Sequence, residues 1–160
     1  MLIRNHIANQ ISGSLAIMDI DNFKNVNDDF GHQEGDRVLR EVGAMLLRHF
    51  RSTDVVMRLG GDEFVVYVVG MVDEHFVRIK MEEIVSSMRT IMLEEKSGKH
   101  ISISLGCVIN DGSYPDMSSL YHKADQMLYK AKEAGKDGFC LLNASYKAEA
   151  RNSETEDLAE

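Results

Sequence analysis

Cysteine is nearly missing from this chain: Cys107 and Cys140 are the only two in 160 residues. Two thiols form neither a disulfide framework nor a zinc cluster, so a disulfide scaffold is excluded and a reducing, cytoplasmic compartment is expected. Both are read as buried small apolar residues. Long apolar runs are missing too. No stretch approaches the roughly 20 apolar residues that span a bilayer, and the first residues lack the basic-then-apolar order of a secretory signal. The sequence therefore predicts no direct membrane contact, although a larger, membrane-anchored parent protein stays compatible with it. Basic residues are in deficit: 18 lysines and arginines face 26 aspartates and glutamates, a net charge of -8. That balance speaks against nucleic acid as a partner, because such binding draws most of its affinity from lysine and arginine on phosphate. A single nucleotide held through a metal remains compatible. Internal repeats and low-complexity linkers are absent as well.

What is present suits one domain: 160 residues with 44% hydrophobic content support a single core. Residues 14–20 read as a buried strand carrying Leu15, Ala16, Ile17 and Met18 and ending at the acidic pair Asp19 and Asp21. Residues 36–50 follow helical spacing through Val38, Leu39, Val42, Met45, Leu46 and Phe50. Two β-branched runs, 55–59 and 64–69, flank Gly60-Gly61 in the pattern of a tight hairpin, which puts Asp62 and Glu63 at or beside its turn. Helical spacing returns at Met81, Ile84, Val85, Met88, Ile91 and Met92, then a strand is expected over 101–109. Met117, Leu120, Tyr121, Ala124, Met127, Leu128 and Ala131 form a third apolar stripe, and a short strand closes at 139–142. The methionines are expected as core filling rather than ligands. The fold class is α+β, with a mixed, largely antiparallel central sheet covered by helices. The domain is placed at 1–142, and residues 143–160 are expected as a frayed helix or disordered tail.

Asp19 ends an apolar strand and Asp62 follows a glycine turn. On neighbouring strands, with backbones about 4.8 Å apart, such carboxylates suit magnesium, which binds through one or two carboxylates plus substrate phosphates. The plain alternative makes Asp19, Asp21, Asp62 and Glu63 solvated turn residues, with Asp21 capping the next helix; spacing alone favours it. An EF-hand fails in both frames, because Phe23 falls on the fifth position counted from Asp19 and Phe30 on the sixth counted from Asn25.

Arg58-Leu59-Gly60-Gly61-Asp62-Glu63-Phe64 contains a GGDEF signature, and Met18-Asp19-Ile20-Asp21-Asn22-Phe23-Lys24 looks like its companion motif. The order continues through Asn27-Asp28-Asp29-Phe30-Gly31-His32, Gly35-Asp36, Ser102-Ile103-Ser104-Leu105-Gly106, Ala124-Asp125 and Leu128-Tyr129-Lys130-Ala131-Lys132. The sequence thus resembles the GGDEF family of diguanylate cyclases over nearly all of 3–142. The resemblance implies a fold like that of nucleotide cyclases and the polymerase palm. It also implies the condensation of two GTP into cyclic di-GMP with release of pyrophosphate, across a transient two-fold homodimer. Two Mg²⁺ or Mn²⁺ ions per site would be held by Asp19, the Ile20 carbonyl and Asp62. Asp62 would accept the proton, assisted by Glu63, and Lys24 would stabilise the transferring phosphate. Asn27 and Asp36 would read guanine, with Phe23 beside Lys24 among the substrate-binding positions. Lys132 and Lys136 would hold the terminal phosphates, although the family more often has Arg-Asn where this chain has Lys136-Asp137.

Arg51-Ser52-Thr53-Asp54 matches the family's R-x-x-D site for inhibition by cyclic di-GMP, with Arg58 a further participant. The resemblance also implies a longer opening segment than Met1-Leu2-Ile3-Arg4, with asparagine where Ile3 stands, so a truncated N-terminal edge is expected. Low activity is expected of the chain by itself, because an upstream domain normally brings two copies together. The alternatives are a catalytically weak module that senses GTP or cyclic di-GMP within a larger protein, and a cyclase with a different product.

Overall fold

A strand that is apolar on both sides must be covered on both sides, and β1 (Gly13–Ile20) is such a strand. In the computed structural model, which describes residues 2–93 and 97–143, it lies at the centre of a five-stranded sheet of order β2-β3-β1-β6-β7. Its neighbours are β3 (Glu63–Val69) and β6 (Ile103–Asn110), both antiparallel to it. β2 (Val55–Gly60) pairs with β3 through the glycine hairpin, with an irregularity between Arg58 and Gly60. β7 (Gly138–Leu142) joins β6 in parallel, so the sheet is mixed but largely antiparallel, as expected.

Alternation along the strands divides the core in two. Ala16, Met18, Ile20, Phe64, Val66, Leu105 and Cys107 point to the face covered by α2 (Phe23–Phe30), α3 (His32–His49) and α4 (Glu74–Met88). Leu15, Ile17, Val65, Tyr67 and Val108 point to the other, under α1 (Leu2–Ala8) and α5 (Met117–Glu133). Asp73 caps α4 by accepting from the His75 and Phe76 N–H groups, and Asp116 caps α5 by accepting from Ser119 N–H.

Several expectations need correction. The stripe over 81–92 overruns its helix: α4 ends at Met88, Ile91 sits in a turn, and Met92–Leu93 form β4, paired with β5 (Lys99–His100). Ile91 and Leu93 are still buried, so the periodicity recorded burial and not backbone. α3 begins at His32, four residues before the helical spacing read from 36, and its N-cap is Gly31. α1 was not foreseen as a helix, and α2 entered only as the helix that Asp21 would cap in the plain alternative. Of the two cysteines Cys107 is buried but Cys140 only partly. The strand placed at 101–109 begins at Ile103. Beyond Asn143, the tail expected over 143–160 lies outside the described residues. No helix among the described residues is long and apolar enough to cross a membrane.

Candidate active site

Asp19 is paired in register with Glu63 on β3, and both belong to the side of the sheet that carries α5. Opposed residues on an antiparallel pair hold their Cβ atoms about 4.5–5.5 Å apart, so the two carboxylates share one edge. Asp62 precedes Glu63 at the hairpin, close enough for its charge to act on Asp19. Burial, the largest influence, holds the Asp19 carboxyl above the ordinary carboxylate range; a hydrogen bond from Lys132 opposes the shift and the Asp62 charge adds to it. Lys132 Nζ lies 3.0 Å from Asp19 Oδ2. Three turns earlier on α5, Tyr121 donates its hydroxyl hydrogen to Glu63 Oε1 at 3.1 Å. α5 comes this close because β6 has Gly106 beneath it: a Cβ there would collide with the Ala124 carbonyl and the Leu128 N–H.

Asp21, read in the plain alternative as a solvated cap, is buried. Its carboxylate accepts from Ser104 Oγ at 2.6 Å, Ser102 Oγ at 2.7 Å and the Asp137 N–H at 3.0 Å. The N-cap of α2 is Asn22, in a left-handed conformation and without a side-chain cap bond. These bonds anchor the loop after α5, where Lys136 and Asp137 both have positive φ, 65° and 48°. Arg89 completes the anchor, its Nε donating to both carboxylate oxygens of Asp137 at 2.9 and 3.0 Å. From this loop Lys136 Nζ reaches Asn22 Oδ1 at 2.7 Å.

On the other side of the strand end, α2 and α3 bring Asn27 against Gly35, the neighbour of Asp36. Gly35 permits it, since a side chain there would strike the Asn27 amide and the Phe23 ring. Asp36 lines a shallow pocket of about 260 Å³ with Leu39, Arg40 and Arg58. Lys24 is exposed in the first turn of α2. Phe23 is buried in the core, so its side chain supports the site from beneath and only its main chain lies at the start of α2.

Arg51 and Asp54 lie at the opposite end of β2, lining a cavity of about 520 Å³ whose apolar wall includes Val72, Phe76 and Ile79. The Asp54 carboxylate accepts from the Arg51 N–H at 2.8 Å and the Val69 N–H at 3.2 Å. Arg58 is not with them. Its guanidinium donates to the Gly61 carbonyl at 2.6 and 2.8 Å, and it borders the pocket of Asp36.

The family model described as "Diguanylate cyclase, GGDEF domain" matches residues 2–138. The chain belongs to the GGDEF family. Among curated relatives, this GGDEF chain is 40% identical over 132 residues to diguanylate cyclase DgcS of Shewanella oneidensis, covering 82% of the chain and 43% of that protein. It is 37% identical over 134 residues to diguanylate cyclase DosC of Escherichia coli, covering 82% of the chain and 29% of that protein. The chain therefore spans less than half the length of these relatives. The structure is similar to the GGDEF domain of DgcB from Caulobacter crescentus in complex with c-di-GMP, with a TM-score of 0.75 and 29% identity over 86% of this chain and 81% of that one. It is also similar to the active GGEEF domain of a diguanylate cyclase from Vibrio cholerae, with a TM-score of 0.77 and 28% identity over 89% and 90% of the two chains.

Within this GGDEF domain the fold gathers Asp19, Ile20, Asp62, Glu63 and Lys132 at one edge, sets Asn27 against Gly35 beside Asp36, and separates Arg58 from Arg51 and Asp54. Among the described residues, no three or more histidine, cysteine, aspartate or glutamate side chains form a closed cage for a cation. A donor set of two carboxylates beside an open edge fits magnesium, which completes its shell with water and phosphate. Tyr121 and Arg89 were missed as site residues. Tyr121 was hidden because it belongs to an apolar stripe, and Arg89 because its partner lies 48 positions away.

Proposed function

We propose that this domain is a diguanylate cyclase that condenses two GTP into cyclic di-GMP and two pyrophosphates between two copies related by a two-fold axis. The observation that carries the reading is the meeting of the Asp19 and Asp62 charges at one sheet edge, with a lysine already drawn to Asp19. In each half-reaction the 3′-hydroxyl oxygen of one GTP bonds to the α-phosphorus of the other. The bond from that phosphorus to the β-phosphate bridging oxygen breaks, and the hydroxyl proton passes to Asp62. Two such displacements close the ring.

Asp19, Asp62 and the Ile20 carbonyl would hold two Mg²⁺ or Mn²⁺ ions, which when bound polarise phosphoryl oxygens and stabilise charge on the attacking and leaving groups. Lys24 supplies a compact cation to the transferring phosphate. Lys132, now on Asp19, and Lys136, on Asn22, would exchange those partners for triphosphate oxygens. The Asp36 carboxylate accepts from the N1 and N2 donors of guanine, a pair adenine lacks. Arg51 and Asp54 form an inhibitory site for the product, arginine on guanine and phosphate and aspartate on guanine edges. Arg58, remote from them in this chain, joins the nucleotide side instead.

Incubating the domain at high concentration with GTP and Mn²⁺, then chromatographing the nucleotides, tests the reading. Cyclic di-GMP that disappears in Asp62→Asn is the expected result. Nucleotide binding with no turnover under any condition would instead make the domain a GTP or cyclic di-GMP sensor.

A further inference from the structure

Asp19 and Glu63 stand directly opposite each other on β1 and β3. Like charges in that relation repel, and both carboxylates are partly withdrawn from water. Two side chains of α5 meet them, Lys132 on Asp19 at 3.0 Å and Tyr121 on Glu63 at 3.1 Å. These residues are eleven positions apart, three helical turns, and so leave the helix on the same side. Each opposed carboxylate thus has its own α5 donor, and the two donors differ. Lysine neutralises a charge and can be drawn away by a polyanion. A neutral phenol cannot be drawn away by charge, and it fixes the direction of the carboxylate it holds.

Resting on the cyclase reading, we infer that Tyr121 is a positioning residue: its phenol commits one Glu63 oxygen to α5 and so orients the other toward the edge where Asp19 and Asp62 hold metal and phosphate. The hydroxyl is suited to the task. Burial first, then the charge and hydrogen bond of Glu63, push its ionisation up to about 12, and Asp125 one turn further on acts in the same direction. Tyr121 therefore remains a protonated donor at neutral pH. Its ring also packs against the α5-side core. A purely structural account would give it that packing role alone, and phenylalanine preserves the packing while removing the donor.

The test is a double-mutant cycle on the whole domain, using Tyr121→Phe, Glu63→Gln and the combined variant. Mn²⁺ affinity is read by electron paramagnetic resonance in the presence of a GTP analogue blocked between its α- and β-phosphates. kcat and KM for GTP are read alongside it, and melting temperature controls for folding. We expect Tyr121→Phe to leave KM and melting temperature as in the wild type. Mn²⁺ affinity and kcat should each fall about tenfold, the scale of one hydrogen bond to a charged group. In the Glu63→Gln background the same change should have almost no effect. Tyr121→Leu, which keeps apolar bulk without a donor, should show the same loss, and it decides the matter if phenylalanine proves destabilising. Wild-type Mn²⁺ affinity and kcat in Tyr121→Phe, or equal losses in both backgrounds, would overturn the assignment. A wild type that makes no cyclic di-GMP while the binding cycle behaves as expected would sink the cyclase reading and leave the positioning role standing.

Discussion

Asp19 shows how a residue can be placed against the stability of its own fold. Partial burial and the nearby Asp62 raise its carboxyl above the ordinary range, and Lys132 offsets this only in part. A carboxyl raised on folding contributes stability in acid, below the unfolded range, and that contribution is lost as pH rises through the folded value. At neutral pH without metal, the ionised Asp19 is therefore a cost to the folded state. Asp19→Asn should raise the metal-free melting temperature by about 2 °C at pH 7 and abolish cyclic di-GMP formation. The gain should shrink as the melts are repeated toward pH 4, and a lower melting temperature at pH 7 would contradict the account. Stability exchanged for activity in this way is common where charges are gathered for chemistry. Asp21 is the contrasting case, a carboxylate two positions away whose partners are all fixed donors. Spacing gives Asp19 and Asp21 equal standing as ligands, and only the serines at 102 and 104 and the Asp137 N–H reveal that Asp21 is structural.

Among the elements, α5 does the most to shape the site. Its apolar stripe was evident from its spacing, yet the stripe does not say how near the helix comes to the sheet. That distance is set on β6, where Gly106 lets the helix backbone rest against the strand. Gly106→Ala would drive a methyl group into main-chain atoms that cannot move independently of the helix. The expected cost is about 1–3 kcal/mol, read as a lower midpoint in urea unfolding. Because both donors to the opposed carboxylates ride on α5, the residual folded protein should also lose most of its cyclase activity. Full activity in a stable Gly106→Ala variant would show that the height of α5 is not critical. The loop after α5 depends on a different anchor, Arg89 at the end of α4, which holds Asp137. An arginine paired to that aspartate lets a residue with positive φ stay in place.

At the scale of the whole molecule, the Asp19–Asp62 edge and the Arg51–Asp54 cavity occupy different ends of the sheet. Synthesis across two copies predicts that the rate per chain rises with chain concentration at saturating GTP. A constant specific rate over a hundredfold dilution would contradict the two-copy mechanism. The Arg51→Ala, Asp54→Ala double variant should keep its initial rate and lose inhibition by added cyclic di-GMP. Calorimetry should register the same loss as weakened product binding. Unchanged affinity would remove those residues from the inhibitory role and leave the cavity without an assigned ligand. The sequence by itself determined the five strands of the main sheet, the apolar stripes of three helices, the signature turn and the family, because periodicity and motif order are properties of neighbouring residues. Only the tertiary structure decided that Asp21 is buried, that Phe23 is core, that Arg58 stands apart from Arg51, and that Tyr121 reaches Glu63. Those facts depend on contacts between segments far apart in the chain. Burial sets their chemistry, and no local pattern encodes which distant group will arrive.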